Sequence, residues 1–318
     1  MNENARLRVL ITFALEPALV QQIEAIDPRL EVRVLGQHAR QLFRGGLRYP
    51  SELEAQTARQ ELEEALGDAE VLFGFWGPAF AELYPDPEAL RRRAPGLRWL
   101  QLTSAGVDRA ARSGLLESDL LVTNASGLHA TPIGEFALCV MLMFCKGAHR
   151  FVRAQERREW SRYMSQELYG KTVGVVGLGH IGGEVARLAK AFGCRVLGMR
   201  RSAPGGGEAA YADELLPPSE LRRLLGESDF VVLAVPLTEE TRHLIGEEEL
   251  RAMKPSGVVI NIARGAVIDE AALVRALKEG WIAGAGLDDF EQEPLPPESE
   301  LWGLEQVILS PHISGGTE

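Results

Sequence analysis

The stretch "TVGVVGLGHIGGEVARLAKAFGCRVLGM", Thr172 to Met199, limits the fold more than any other in the chain. A strand-like apolar run leads into Gly177, Gly179 and Gly182, which stand in G-x-G-x-x-G spacing. A helical segment then carries Ile181, Val185, Leu188, Ala189 and Phe192 on one face, and a second apolar run closes the unit. The spacing alone is weak. Inside a complete strand–helix–strand unit, however, the three glycines serve three ends, namely a tight turn, close approach of a pyrophosphate, and close packing of helix on strand. The start of such a helix offers N–H groups and a positive dipole end to phosphates, so the backbone of His180 matters more than its ring.

Short apolar runs alternate with helical stretches on both sides of this unit. In the first third, "LRVLITFAL", "EVRVL", "EVLFGF" and "LRWLQLT" are separated by segments such as "SELEAQTARQELEEALG", and the series ends with "LLVTNASG" near Asn124. From Lys171 onward, "TVGVVG", "CRVLGM", "DFVVLAV", "GVVINIA", "IAGAGLDDF" and "VILS" form a second series. Alternation of this kind predicts parallel sheets covered by helices, and six strands suit a doubly wound dinucleotide-binding domain. Between the two series a long helix is predicted, with Thr131 as N-cap and Pro132 in the first helical position. Its stripe of Ile133, Phe136, Ala137, Val140, Met141 and Phe144 is read as core, with a subunit contact as the alternative. Another helix, "DEAALVRALKEG", is capped by Asp269 and stopped at Gly280.

A length of 318 residues accommodates two domains. The net charge of -11, from 34 basic and 45 acidic residues, argues against a general nucleic-acid binder, which needs a basic footprint. Cys139, Cys145 and Cys194 lack paired spacing and lie in apolar runs, which predicts buried thiols in a reducing compartment and no metal site. The opening residues lack the pattern of a signal peptide, and no apolar run has the roughly 18 residues of a membrane span. A cytoplasmic protein without membrane contact is the expectation.

The second strand of the glycine unit ends in "VLGMRRS". An acidic residue at this tip holds the ribose hydroxyls of NAD, whereas an arginine pairs with the 2′-phosphate of NADP. Arg200 lies 23 residues after Gly177, followed by Arg201 and Ser202. Two guanidinium groups and a hydroxyl favour NADP, with NAD as the alternative. Three further polar residues follow the last strands: Arg264 in "INIARG", Glu293 in "LDDFEQEPLP" and His312 in "ILSPHISGG". Ligands of open α/β sheets bind beyond the strand C-termini, so the three can converge. Together they meet the needs of 2-keto acid reduction: a cation for the carboxylate and carbonyl, an acid for the oxygen that gains charge, and a carboxylate to hold that acid protonated.

From "TSAGVD" to "PHISGG", through "LAVPLTEETRHLI", "MKPSGVVINIARGAVIDEAAL" and "GLDDFEQEPLPPESELW", the chain resembles the D-isomer-specific 2-hydroxyacid dehydrogenase family. The resemblance implies two Rossmann/flavodoxin-like α/β domains with parallel sheets, the dinucleotide-binding domain inserted into the substrate domain. It divides the chain into a substrate domain over 1–123, an NAD(P)-binding domain over 124–313 and the start of a return segment over 314–318. It carries the family's catalytic residues onto Arg264, Glu293 and His312. Its cofactor contacts fall on Gly177, Gly179, His180, Ile181, Gly182, Val235, Pro236, Thr241, Ile262, Ala263, Arg264 and Asp288. The loop of Ser104, Ala105, Gly106 and Val107 corresponds to the one whose N–H groups meet the substrate carboxylate, and the family forms homodimers.

Within that family the arginines make the chain similar to NADP-preferring glyoxylate and hydroxypyruvate reductases. An NAD-dependent member such as phosphoglycerate dehydrogenase is one alternative, and a dinucleotide-sensing protein similar to the corepressors of this fold is another. Two features depart from the family pattern. Asp289 stands where an apolar residue is usual and needs a partner if buried. The sequence ends at Glu318, where family members continue into a helix that returns to the first domain. His129, at the entry to the long helix, is read as making a structural hydrogen bond, with a substrate role as the alternative.

Overall fold

A computed structural model describes residues 6–44, 51–74, 76–203, 205–207 and 209–317. Among the described residues, twelve strands form two sheets, and every pairing between those strands is parallel. The first sheet comprises β1 (Leu7–Ile11), β2 (Leu30–Val34), β3 (Val71–Gly74), β4 (Trp99–Leu102) and β5 (Leu121–Thr123), in the order β2-β1-β3-β4-β5. These are the five apolar runs of the first third. Central strands of a sheet covered on both faces read as nearly continuous apolar residues, as in "VLFG" of β3.

The second sheet comprises β6 (Thr172–Val176), β7 (Arg195–Met199), β8 (Glu214–Leu216), β9 (Phe230–Leu233), β10 (Val258–Asn261), β11 (Gly284–Leu287) and β12 (Val307–Leu309). Their order is β12-β11-β10-β9-β6-β7-β8, so the chain winds outward from β6 in both directions. The order reverses between β6 and β9, the place where open α/β sheets bind ligands. The edge strand β8 adds a seventh member to the six predicted. It has only three residues, too few for a periodic signal, and β7 supplies its pairing.

The chain divides into two compact units, Met1–Ser126 and Gly127–Glu318. The division falls three residues beyond the expected 123/124 boundary because Asn124 and Ala125 are tied to the first unit: Asn124 Nδ2 donates to the Ala105 carbonyl and the Ala125 amide to the Ser104 carbonyl. At the other end, Ser314 and Gly315, expected to begin a return segment, are bonded within the second unit. The Ser314 amide donates to Asp288, and His129 Nδ1 lies 3.1 Å from the Gly315 carbonyl. Glu318 lies outside the described residues.

In the second unit, one layer of core packs Val176, Leu233 and Val259 against Leu224, Leu250 and Leu273. The other packs Val175, Val232 and Ile260 against Ala137, Met141 and Val185. The stripe on the helix Ala130–Lys146 is therefore core, with Ile133, Ala137, Val140 and Met141 buried. Glycine makes room for it: a Cβ on Gly286 of β11 would stand 2.4 Å from Val140. The helix starts earlier than predicted, with His129 at the N-cap, and Thr131 and Pro132 lie inside its first turn. Proline is accommodated there because first-turn N–H groups have no helical partner. Cys145 and Cys194 are buried, but Cys139 is exposed, since helical spacing turns it away from the stripe. Among the described residues no single helix is long and apolar enough to cross a membrane.

Candidate active site

The cofactor and catalytic candidates of the second unit follow the C-terminal ends of parallel strands in one sheet, and so share one edge of it. The glycine loop follows β6, Arg200–Ser202 follow β7, and Val235, Pro236 and Thr241 follow β9. Ile262, Ala263 and Arg264 follow β10, Asp288 and Glu293 follow β11, and His312 follows β12.

The three glycines do different things. Gly177 turns at φ 103°, and a Cβ there would meet the Ala234 carbonyl oxygen at 2.6 Å. A Cβ on Gly182 would stand 2.0 Å from the Gly177 carbonyl oxygen, so only glycine lets the helix pack so closely on its strand. Gly179 has nothing within 4 Å of its Cβ position and begins the helix His180–Ala191 without a side-chain cap. An open cradle at an uncapped helix N-terminus fits a pyrophosphate group. At the end of β7, Arg200 keeps a buried Nε with no hydrogen-bond partner, and Arg201 and Ser202 are exposed. A buried guanidinium nitrogen without an acceptor is costly in isolation and suits an arriving phosphate oxygen. Thr241 is engaged within its own loop, donating to the Pro236 carbonyl at 2.6 Å and accepting from the Thr238 amide at 2.7 Å. Ile262 and Ala263 are buried in the core, which leaves only their backbone for a ligand.

Arg264 reaches its place through two features that sequence reasoning passed over. Asn261, buried at the end of β10, accepts from the Ala263 amide at 3.1 Å and donates to the Arg264 carbonyl at 2.9 Å. The polar residue closing an apolar strand, "VVIN", was the available signal. Gly265 then lies so close to the next loop that a Cβ would stand 1.8 Å from the Phe290 carbonyl carbon. The approach of these two backbones brings Arg264 beside the residues after β11. Arg264 Nη1 donates to the Ala263 carbonyl at 2.7 Å and lies 3.7 Å from Asp289 Oδ1.

His312 adopts the left-handed conformation, φ 54°, which non-glycine residues rarely take. The wholly buried Asp288 holds the backbone on its far side: Oδ1 accepts from Ser310 Oγ at 2.6 Å and the Ile313 amide at 2.9 Å, and Oδ2 from the Ser314 amide at 2.9 Å. Both oxygens of this residue, a cofactor contact by resemblance, thus serve the local fold. The imidazole points Nδ1 at Glu293, 3.0 Å from each carboxylate oxygen, and lies 3.4 Å from Asp289 Oδ1. Nδ1 must carry the proton, because a carboxylate only accepts, and Nε2 takes no part in the bond to Glu293.

The hydrogen bond that His312 donates to Glu293 holds the ring above the usual imidazole range, and the charge of Asp289 adds to it while burial and Arg264 oppose. Asp289 is 3% exposed, and burial pushes its carboxyl up to about 7 against the pull of His312 and Arg264. The partners that the sequence could not name for Asp289 are therefore His312 and Arg264. His129 Nδ1 lies within hydrogen-bond distance of the Gly315 carbonyl, at 3.1 Å.

In the first unit, Ser104–Val107 follow β4. Their carbonyls are engaged: Ser104 O accepts from Ala125 N, Ala105 O from Asn124 Nδ2 at 2.8 Å, and Gly106 O from Ser104 Oγ at 2.8 Å.

Comparison with known proteins identifies the family. The model of the D-isomer specific 2-hydroxyacid dehydrogenase NAD binding domain matches residues 138–314. A glyoxylate reductase of Thermococcus gammatolerans is 44% identical over 236 residues, spanning 70% of this chain and 69% of the relative. A D-isomer specific 2-hydroxyacid dehydrogenase family protein from Aeromonas salmonicida superposes with a TM-score of 0.77 at 29% identity, covering 98% of this chain and 90% of its own. The D-isomer specific 2-hydroxyacid dehydrogenase of Xanthobacter autotrophicus, solved in complex with NADPH and MES, gives 0.74 at 28% identity, covering 98% and 89%. With its glycine loop, its doubly wound sheet and this similarity, the chain belongs to the D-isomer specific 2-hydroxyacid dehydrogenase family, oxidoreductases that move a hydride between a nicotinamide cofactor and a 2-hydroxy or 2-keto acid.

Proposed function

We propose that the chain reduces a small 2-keto acid, glyoxylate or hydroxypyruvate, with NADPH. The observation that carries this reading is the His312 ring, anchored through Nδ1 by Glu293 and set beside Arg264 at the sheet edge that bears the glycine loop. A bound reduced nicotinamide supplies the hydride for the keto carbon. Arg264 offers the donors that orient the carboxylate and carbonyl. His312 gives its Nε2 proton to the carbonyl oxygen as that oxygen gains charge, and Glu293 holds the imidazolium before the transfer. Gly177–Gly182 cradle the pyrophosphate, and Arg200, Arg201 and Ser202 meet the 2′-phosphate, supported by the unpartnered Arg200 Nε and by the NADPH complex of the Xanthobacter relative. In the first unit, which we assign to substrate binding, the amides of Ser104–Val107 after β4 are the groups that would donate to a substrate carboxylate. The choice of glyoxylate rests on similarity to the Thermococcus enzyme.

A homodimer in the cytoplasm belongs to the same reading. Exposed Phe151, Trp160, Met164 and Tyr169 support a subunit contact, which sedimentation would detect.

Steady-state assays with NADPH and NADH on glyoxylate and hydroxypyruvate test the proposal. NADPH is expected to be preferred at least about tenfold in kcat/KM, and Arg200→Asp to remove most of that preference. Equal use of both cofactors by the wild type would refute the assignment of the arginines, and no turnover would refute the activity.

A further inference from the structure

Among the described residues, Asp289 is the one buried ionisable group at this edge that the chemistry above leaves without a role. It follows Asp288 at the end of β11, is 3% exposed, and stands 3.4 Å from His312 Nδ1 and 3.7 Å from Arg264 Nη1 through the same oxygen, Oδ1. That oxygen has no hydrogen-bond partner of its own. A buried carboxylate costs stability unless charges nearby compensate it, and here both compensating charges belong to the reaction. One polar atom of Asp289, one of Glu293 and one of His312 all lie within 4.8 Å of one another.

We propose that Asp289 is a positioning residue of the reaction, a second carboxylate that braces the His312 ring and the Arg264 guanidinium against each other and favours the charged imidazolium. The inference rests on the roles proposed above for His312 and Arg264. The charged groups that face His312 are Glu293 and Asp289 from beyond β11 and Arg264 from beyond β10, while Asp288 acts on Asp289 from the adjacent position. The sign follows from the charge that Asp289 gains on ionisation. As pH rises, Asp289, whose carboxyl burial pushes up to about 7, acquires a negative charge, and that charge favours the protonated form of His312, which the hydrogen bond to Glu293 already holds above the usual imidazole range. Keto-acid reduction needs that proton, so the second carboxylate extends activity upward in pH.

The test compares the wild type with Asp289→Asn, which keeps the shape and removes the charge. Two readouts are followed: the pH profile of kcat for keto-acid reduction, and the NMR titration of the His312 ring. Both the alkaline limb and the ring titration are expected to move to lower pH by about one unit. Profiles that superimpose would overturn the proposal, and so would a uniform loss at every pH without displacement, the mark of a merely structural role. Should the asparagine variant not fold, the carboxyl carbon of Asp289 in the wild type decides: shared inflections with the His312 ring support coupling, and an independent single titration overturns it. A wild type that reduces no keto acid would sink the proposed activity, and the NMR titrations, which need no turnover, would still judge Asp289.

Discussion

His312 combines an unfavourable backbone with a favourable electrostatic setting. Its φ of 54° costs roughly 1–2 kcal/mol for a residue bearing a Cβ. Asp288 offsets this by accepting from Ser310 Oγ and from the two amides that follow His312. Strain of this kind, held by its surroundings, directs the ring toward Glu293. His312→Asn keeps a polar side chain but cannot donate a proton at neutral pH. Its kcat is expected to fall by about a thousandfold, on the order of 4 kcal/mol in the barrier, while NADPH affinity measured by fluorescence stays near that of the wild type. A loss below about tenfold would remove His312 from the role of acid. His312 and Glu293 could be picked out from sequence because each follows an apolar strand, where ligands of such sheets collect. Asp289 was visible only as an oddity, since its partners come from residues 25 positions earlier and 23 later.

The elements matter through their ends. Helix His180–Ala191 seats its first turn on the end of β6 because Gly182 and Gly177 allow contact between backbones, an arrangement local enough to be read from spacing. Gly265 does the same between the loops after β10 and β11, yet nothing near it in sequence announces the partner, Phe290. The added methyl of Gly265→Ala would displace one loop from the other and separate Arg264 from Asp289. We expect a stability loss of about 3 kcal/mol in urea unfolding, together with a rise in keto-acid KM. Wild-type stability and KM in that variant would show that the close approach is unimportant. The missed strand β8 illustrates the same limit, because three residues carry no period and neighbouring β7 decides their state.

At the scale of the molecule, each unit carries its own cores, with Leu62, Leu72, Phe80 and Leu100 in the first and Val175, Leu233, Val259 and Ile260 in the second. Residues 127–318, expressed alone, are therefore expected to fold and to bind NADPH within about tenfold of the full chain's affinity, because every residue proposed to hold the cofactor lies in that unit. The fragment is expected to reduce no keto acid, since Ser104–Val107 are absent from it. Calorimetry and an activity assay check both halves, and an unfolded fragment would refute the independence of the unit. The sequence by itself determined the parallel α/β class, the glycine loop, the arginine-bearing end of β7 and the identity of the Arg264, Glu293 and His312 candidates. Those features depend on periodicity and short spacings, which act between residues near in the chain. Tertiary structure alone decided the seventh strand, the burial of Asp289 with its two partners, the pinning of His312 by Asp288, and the close approach at Gly265. Each of these is a contact between separate strands or loops, and its energy exists only once the strands lie side by side.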